Sequence, residues 1–268
     1  MIPAAIGIVG VFAIMQVGWA DLAADHEAHA ANAAASLIEI AVANSTQPEQ
    51  SHADDLKASA EHMLRGNFYL DNGDYEAALA EYTRALEYDP KSWVAFLLRA
   101  YLYQIQNENR LAISDLDKTI ELNPTVEAHV MRGVAYAFSG DDDAALKDYV
   151  TAARIDPGYG NIYKQRAYIY LRRGKFAQAE ADIQTAIRLL PGDLEVQHSF
   201  GDVLYYGGKV RAARRQWEKT CSIADAAMTR DWQQRLAAIA RYKGPVDGKC
   251  DRELIEIFAA CARDRCQF

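Results

Sequence analysis

His198 and Asp202 are four residues apart, the spacing that sets two side chains on one face of a helix. An imidazole beside a carboxylate is the minimum of an acid–base pair, but no nucleophile accompanies it, and such pairs are common on solvated helices. His26 and His29 are three apart and could share a metal weakly with nearby carboxylates, although a solvated surface explains them as well. Four cysteines (Cys221, Cys250, Cys261 and Cys266) all lie in the last 48 residues. No Cys-x2-Cys pair suggests zinc, so the even set points to two disulfides. Cys261 with Cys266 is the least attractive link if the tail is helical, because residues five apart do not stack on one face. That leaves Cys221 joined to Cys250 or to another tail cysteine. A nucleophile elbow, a phosphate-binding glycine loop, His-Glu-x-x-His and a dinucleotide fingerprint are all missing from the sequence. The expectation is a non-catalytic protein with no metal and no cofactor.

The elements that would position these residues follow from a period. Small residues recur at Gly66, Ala100, Gly133, Ala167 and Gly201, spaced 34, 33, 34 and 34 residues. Three residues on come Tyr69, Tyr103, Tyr136, Tyr170 and Leu204. A turn column follows (Gly73, Asn107, Gly140, Gly174, Gly208), then alanines (Ala78, Ala112, Ala145, Ala179, Ala213). Large residues come next (Tyr82, Leu116, Tyr149, Ile183, Trp217), then small ones (Ala85, Thr119, Ala152, Ala186, Thr220). Pro90, Pro124, Pro157 and Pro191 close four units, and Asp225 stands in that place in the fifth. Small residues let helices approach, large ones fill between pairs, and the turn column ends the first helix. Proline ends the second.

These columns resemble the tetratricopeptide repeat family over about residues 59–227. The resemblance implies an all-α, right-handed superhelical solenoid of about five helix-turn-helix repeats. Residues 228–268 then form a capping helix and a cysteine-rich tail. Ala226–Tyr242 carries Met228, Trp232, Leu236 and Ile239 on one stripe, Gly244-Pro245 breaks it, and Arg252–Cys266 reads as a short amphipathic helix. One residue is missing between Pro124 and Gly133, which places a shortening around Thr125–Glu127 and a small local change of superhelix angle. Most of the regularity is core packing, so function belongs to positions that do not repeat.

In the family, the inner face of the first helices holds peptides. Helical spacing maps that face onto Met63, Asn67 and Leu70; Leu97, Tyr101 and Gln104; Val130, Val134 and Ala137; Lys164, Tyr168 and Leu171; and His198, Asp202 and Tyr205. Some members clamp a peptide carboxylate there. Asn67 fits one such place, but Met63 stands where a lysine is expected. The expected groove is therefore apolar and aromatic, for a protein or peptide partner.

Residues 1–56 carry a net charge of −7, residues 57–159 −7 and residues 160–268 +6, within a total of −8. Turn edges show the same trend, from Asp71, Asp74, Asp141, Asp142 and Asp143 to Arg172, Arg173, Lys175, Lys209, Arg211, Arg214 and Arg215. That edge is either solvated or a docking strip for an acidic partner or anionic headgroups. An acidic total speaks against nucleic acid.

Ile2–Ala20 is almost wholly apolar and ends in small residues before Asp21, as in a signal peptide cut after Ala20 or an uncleaved membrane anchor. Residues 21–58 read as an alanine-rich helix followed by a linker at Asn44–Ser51. The expectation is an exported, periplasmic scaffold. A chaperone-like holder of unfolded segments and an enzyme or enzyme accessory are the alternatives.

Overall fold

The protein is described by a computed structural model at residues 47–238 and 241–264, and its regular elements there are all helices, with no strand among the described residues. Twelve helices run in sequence among the described residues. They are α1 Gln47–Asp71, α2 Tyr75–Tyr88, α3 Trp93–Ile105, α4 Asn109–Leu122, α5 Val126–Phe138 and α6 Asp142–Ile155. Then come α7 Gly160–Arg172, α8 Phe176–Leu189, α9 Leu194–Tyr206, α10 Val210–Ile223, α11 Ala226–Ala238 and α12 Arg252–Asp264. They fall into two compact units, divided between Ile155 and Asp156. The signal or anchor segment and the alanine-rich stretch before Gln47, with His26 and His29, lie outside the described residues.

In the first unit α1 pairs with α2, α3 with α4 and α5 with α6, and α2–α3 and α4–α5 contacts join the pairs. In the second unit α7 pairs with α8 and α9 with α10, joined through α8 and α9. The turn column ends the first helix of each pair. Its residues all have left-handed backbone: Gly73 (φ 74°), Asn107 (61°), Gly140 (84°), Gly174 (69°) and Gly208 (80°). This conformation closes a C-terminal cap. The carbonyls of Tyr69, Tyr103, Tyr136, Tyr170 and Leu204 each accept from the amide five residues on, at 2.7–2.9 Å. The aromatic column and the turn column are therefore two halves of one device.

Small and large columns are matched in volume within each repeat. Gly66, Gly133 and Gly201 lie under the rings of Tyr82, Tyr149 and Trp217. A Cβ on Gly133 would meet Tyr149 Cε1 at 2.6 Å. Where the small residue is Ala100 or Ala167, the large one is Leu116 or Ile183 instead. Glycine goes with an aromatic ring and alanine with an aliphatic chain, keeping the interior close-packed. Thr119 and Thr220 stand in an otherwise alanine column because each hydroxyl donates back to a carbonyl four residues earlier, Asp115 at 3.0 Å and Gln216 at 2.9 Å.

The shortening after Pro124 falls wholly in the connection. The other inter-pair connections have four residues and this one has three, Asn123–Thr125. Thr125 still caps α5, accepting from the Ala128 amide at 3.2 Å, so the repeat loses no helix. The linker expected at Asn44–Ser51 requires correction only from Gln47 on, where α1 begins, and residues 44–46 lie outside the described residues. Pro48 falls in the first turn, where proline has no hydrogen bond to forfeit and its φ suits the helix.

Past the repeats, α11 buries Trp232 and Leu236, and α12 buries Leu254, Ile255 and Phe258. All five join one cluster with Trp217. Cys221 in α10 is disulfide-bonded to Cys250, just before α12. Cys261 is disulfide-bonded as well, and Cys266 lies outside the described residues.

Candidate functional site

Each first helix should offer its inner face to a partner, and the structure divides those positions into two classes. Met63, Leu97, Gln104, Val130, Val134, Ala137 and Lys164 are buried. Asn67, Leu70, Tyr101, Tyr168, Leu171, His198, Asp202 and Tyr205 are half-buried. Several of the buried ones reach into the next repeat. Ser92, which caps α3, donates from Oγ to Met63 Sδ at 3.9 Å. Lys164 donates to Asp193, which caps α9, at 3.1 Å. Gln104 donates to the Met131 carbonyl at 2.8 Å. Helical spacing treats the helix as a free cylinder and misses this contact with the following helix. The half-buried positions are the ones that a partner could meet. Asn67 accepts from the Tyr82 hydroxyl at 2.8 Å, which makes it a brace of its own repeat. Tyr168 shares a hydrogen bond with Ser199 at 2.6 Å, and burial raises its hydroxyl pKa.

A second constellation was not anticipated from the sequence. Arg99 grips Asp115 through Nε and Nη2 at 2.7 and 2.8 Å. Arg132 grips Asp148 at 2.9 and 2.7 Å, and Arg166 grips Asp182 at 2.7 and 2.8 Å. Arg65 meets Glu81 through Nε at 2.9 Å. Each acid lies sixteen residues after its arginine and is largely buried. In the Arg99, Arg132 and Arg166 pairs the planar guanidinium fits the carboxylate two-pronged, which fixes the register of the two helices. Aromatic rings flank the cations, with Arg99 over Phe96 and Tyr103 at 5.8 and 5.9 Å, and Arg166 over Tyr163 at 5.4 Å. His62 and His129 fill the place of Phe96 and Tyr163 and bond to Glu81 at 2.8 Å and Asp148 at 3.0 Å. The signal was legible as an arginine before each small residue and an acid before each large one. In the fifth repeat those positions are Phe200 and Gln216, and the ladder ends.

At that end sits the imidazole–carboxylate pair. His198 Nδ1 is 3.8 Å from Asp202 Oδ2, longer than a hydrogen bond. Aromatic rings surround His198, with Phe258 at 4.6 Å edge-on, Trp232 at 5.5 Å and Trp217 at 6.3 Å. Burial, together with the charge of Arg235, lowers the His198 pKa to about 4. Burial raises Asp202 to about 7, opposed by the Trp217 indole. The imidazole is therefore neutral at pH 7 and lies in an aromatic cup. Among the described residues no group of three or more histidine, cysteine or acidic side chains could hold a metal.

The charged edges are largely used within the units. Asp74 and Asp141 cap helices, accepting from the Ala77 and Ala144 amides at 3.1 and 3.0 Å, and Asp142 and Asp143 sit in the first turn of α6. Asp71 is exposed at the end of α1. Lys209 binds both oxygens of Glu180 at 2.7 Å, and Arg214 binds both oxygens of Glu256 at 2.5 and 2.7 Å. Arg172 and Arg173 are half-buried, whereas Lys175, Arg211 and Arg215 are exposed.

Comparison with known proteins agrees with this repeat architecture. Tetratricopeptide repeat models match residues 59–92 and 97–160. Tetratricopeptide repeat protein 6 of Homo sapiens is 29% identical over 119 residues, covering 44% of this chain and 23% of that protein. The mitochondrial import receptor subunit TOM70 of Homo sapiens is 28% identical over 134 residues, covering 48% of this chain and 22% of the other. The chain thus spans about a fifth of the length of these relatives. The solved structure of pilF from Pseudomonas aeruginosa superposes with a TM-score of 0.59 at 19% identity, covering 78% of this chain and 93% of that one. The self-similar helix pairs, the shared cap and these matches agree, and the chain belongs to the tetratricopeptide repeat family.

Proposed function

We propose that the protein is a non-catalytic interaction scaffold that holds a protein or peptide segment against half-buried aromatic positions of the first helices within a unit, Tyr101 in the first or Tyr168 in the second. The observation that supports this reading most directly is that Tyr101 and Tyr168 stay partly exposed where Leu97, Gln104 and Lys164 on the same helices are buried. A large amphipathic ring at such a place supplies contact area at low entropic cost. Similarity to an import receptor subunit points to the same class of ligand, a segment of another protein. The proposed compartment is beyond a membrane. The apolar residues before Asp21 and the Cys221–Cys250 disulfide both favour an oxidising compartment.

In-cell crosslinking followed by pull-down tests the proposal, comparing the natural chain with Tyr101→Ala and Tyr168→Ala. Weaker capture by folded variants supports it, and unchanged capture of every partner rejects it. Competition by generic unfolded peptides would favour a chaperone-like holder over a dedicated scaffold. Intact-mass measurement of the mature protein decides whether the chain is cut after Ala20.

A further inference from the structure

In the last repeat the predicted groove positions are covered by the protein's own tail. α12 is strongly two-faced, with Leu254, Ile255, Phe258 and Ala259 buried and Glu253, Glu256 and Arg263 exposed. Phe258 sits edge-on to His198 at 4.6 Å and to Trp232 at 5.8 Å, with Trp217 at 6.4 Å. Tyr205, another predicted groove residue, packs against the same cluster. On its exposed side α12 is clamped by Arg214, which binds both oxygens of Glu256. Cys250, two residues before α12, is bonded to Cys221 in the last turn of α10.

Covering the open end of an array requires only an apolar lid. α11 already contributes Trp232 and Leu236 to that lid. A two-pronged charge clamp and a disulfide beside the helix go further, because they set its register and keep it in place. Anchors at i and i+4 with one charge pair at the rim are the way an amphipathic helix is recognised in a groove. A short tether raises the local concentration of such a helix to about the millimolar range, and a free competitor of equal affinity must reach that concentration to displace it.

We propose that the aromatic cup of His198, Trp217 and Trp232 is a helix-binding site whose resident occupant is α12. The partner that fits it is an amphipathic helix repeating the chemistry of Leu254, Glu256 and Phe258: a leucine, an acid two residues on and an aromatic residue four on. This rests on the scaffold reading, in that the ligand is a segment of protein. It concerns only α9–α12, so it can fail while capture through Tyr101 stands.

The test is a fluorescein-labelled peptide of residues 251–263, with Cys261→Ser, titrated into the full chain and followed by anisotropy. Three chains are compared: the natural one, Leu254→Ala/Phe258→Ala with the disulfide intact, and Cys221→Ser/Cys250→Ser. Circular dichroism checks folding in each. Binding about ten-fold or more tighter to the two altered chains, and abolished by Phe258→Ala in the peptide, is the expected result. Equal affinity for all three chains, or indifference to the peptide's phenylalanine, overturns the proposal. If the cysteine variant does not fold, the Leu254→Ala/Phe258→Ala chain decides alone, and absence of peptide binding to it overturns the proposal.

Discussion

Tyr149 lies directly over Gly133, sixteen residues earlier, with no room between them for a methyl group: a Cβ on Gly133 would meet the ring at 2.6 Å. The same fit recurs between Gly66 and Tyr82 and between Gly201 and Trp217. It links two sequence columns that otherwise look like separate preferences for small and large.

Gly133→Ala should therefore destabilise the first unit, although alanine is the better helix former. Overpacking of this kind costs about 1–3 kcal/mol, against a propensity gain of about 1 kcal/mol. Gly133→Ala with Tyr149→Leu reproduces the Ala100–Leu116 pairing and should recover most of the loss. Urea midpoints of the single and double variants measure this, and additive losses would show that the columns are not coupled.

Arg132 and Asp148 form a charge pair whose acid is almost fully buried, 5% exposed at its side chain. Arg132→Leu leaves that carboxylate without its main partner and should cost about 3 kcal/mol or more. Arg132→Leu with Asp148→Leu removes both charges and should be less damaging than the single change. Burial opposes the charge on Asp148, but Arg132 and His129 outweigh it and hold the carboxyl below its ordinary value of 3.8. The pair's stabilisation is then complete above about pH 4 and is lost as pH falls through the lower folded value. Acid unfolding of the natural chain against the double variant measures that difference.

The pair at the end of the ladder behaves differently. His198, lowered to about 4 from 6.5, binds fewer protons folded than unfolded, so it makes stability rise with pH between those values. Asp202, raised to about 7 from 3.8, binds more protons when folded, so it makes stability fall as pH rises across that window. The two slopes oppose each other between about pH 4 and 6.5. His198→Asn should leave stability falling from about pH 4 to 7, and Asp202→Asn should leave it rising toward pH 6.5. Parallel pH profiles for all three chains would contradict these assignments.

Asn107 is the one non-glycine turn residue with positive φ among the described residues, at 61°. Asn107→Ala should cost about 1–2 kcal/mol, because a β-carbon without a local hydrogen-bonding group is strained there. Asn107→Gly should be neutral or slightly stabilising. Thermal midpoints of the two variants separate backbone strain from any loss of side-chain contact.

The repeat, its turns and its caps were legible in the amino-acid order because they depend on contacts within about 34 residues. Gly73, Asn107 and the prolines act through local backbone geometry, which a residue carries wherever it sits. The Arg132–Asp148 pair is equally periodic, but charged columns look like solvent-facing ones until burial is known. What α12 covers was beyond reach. Leu254 and Phe258 mark an amphipathic helix by spacing alone, but only the folded chain brings Phe258 onto His198 across sixty residues. The burial of Met63 and Lys164 was decided at the same level. Spacing says which way a side chain points from its own helix, and the next helix decides whether anything is left to meet a partner.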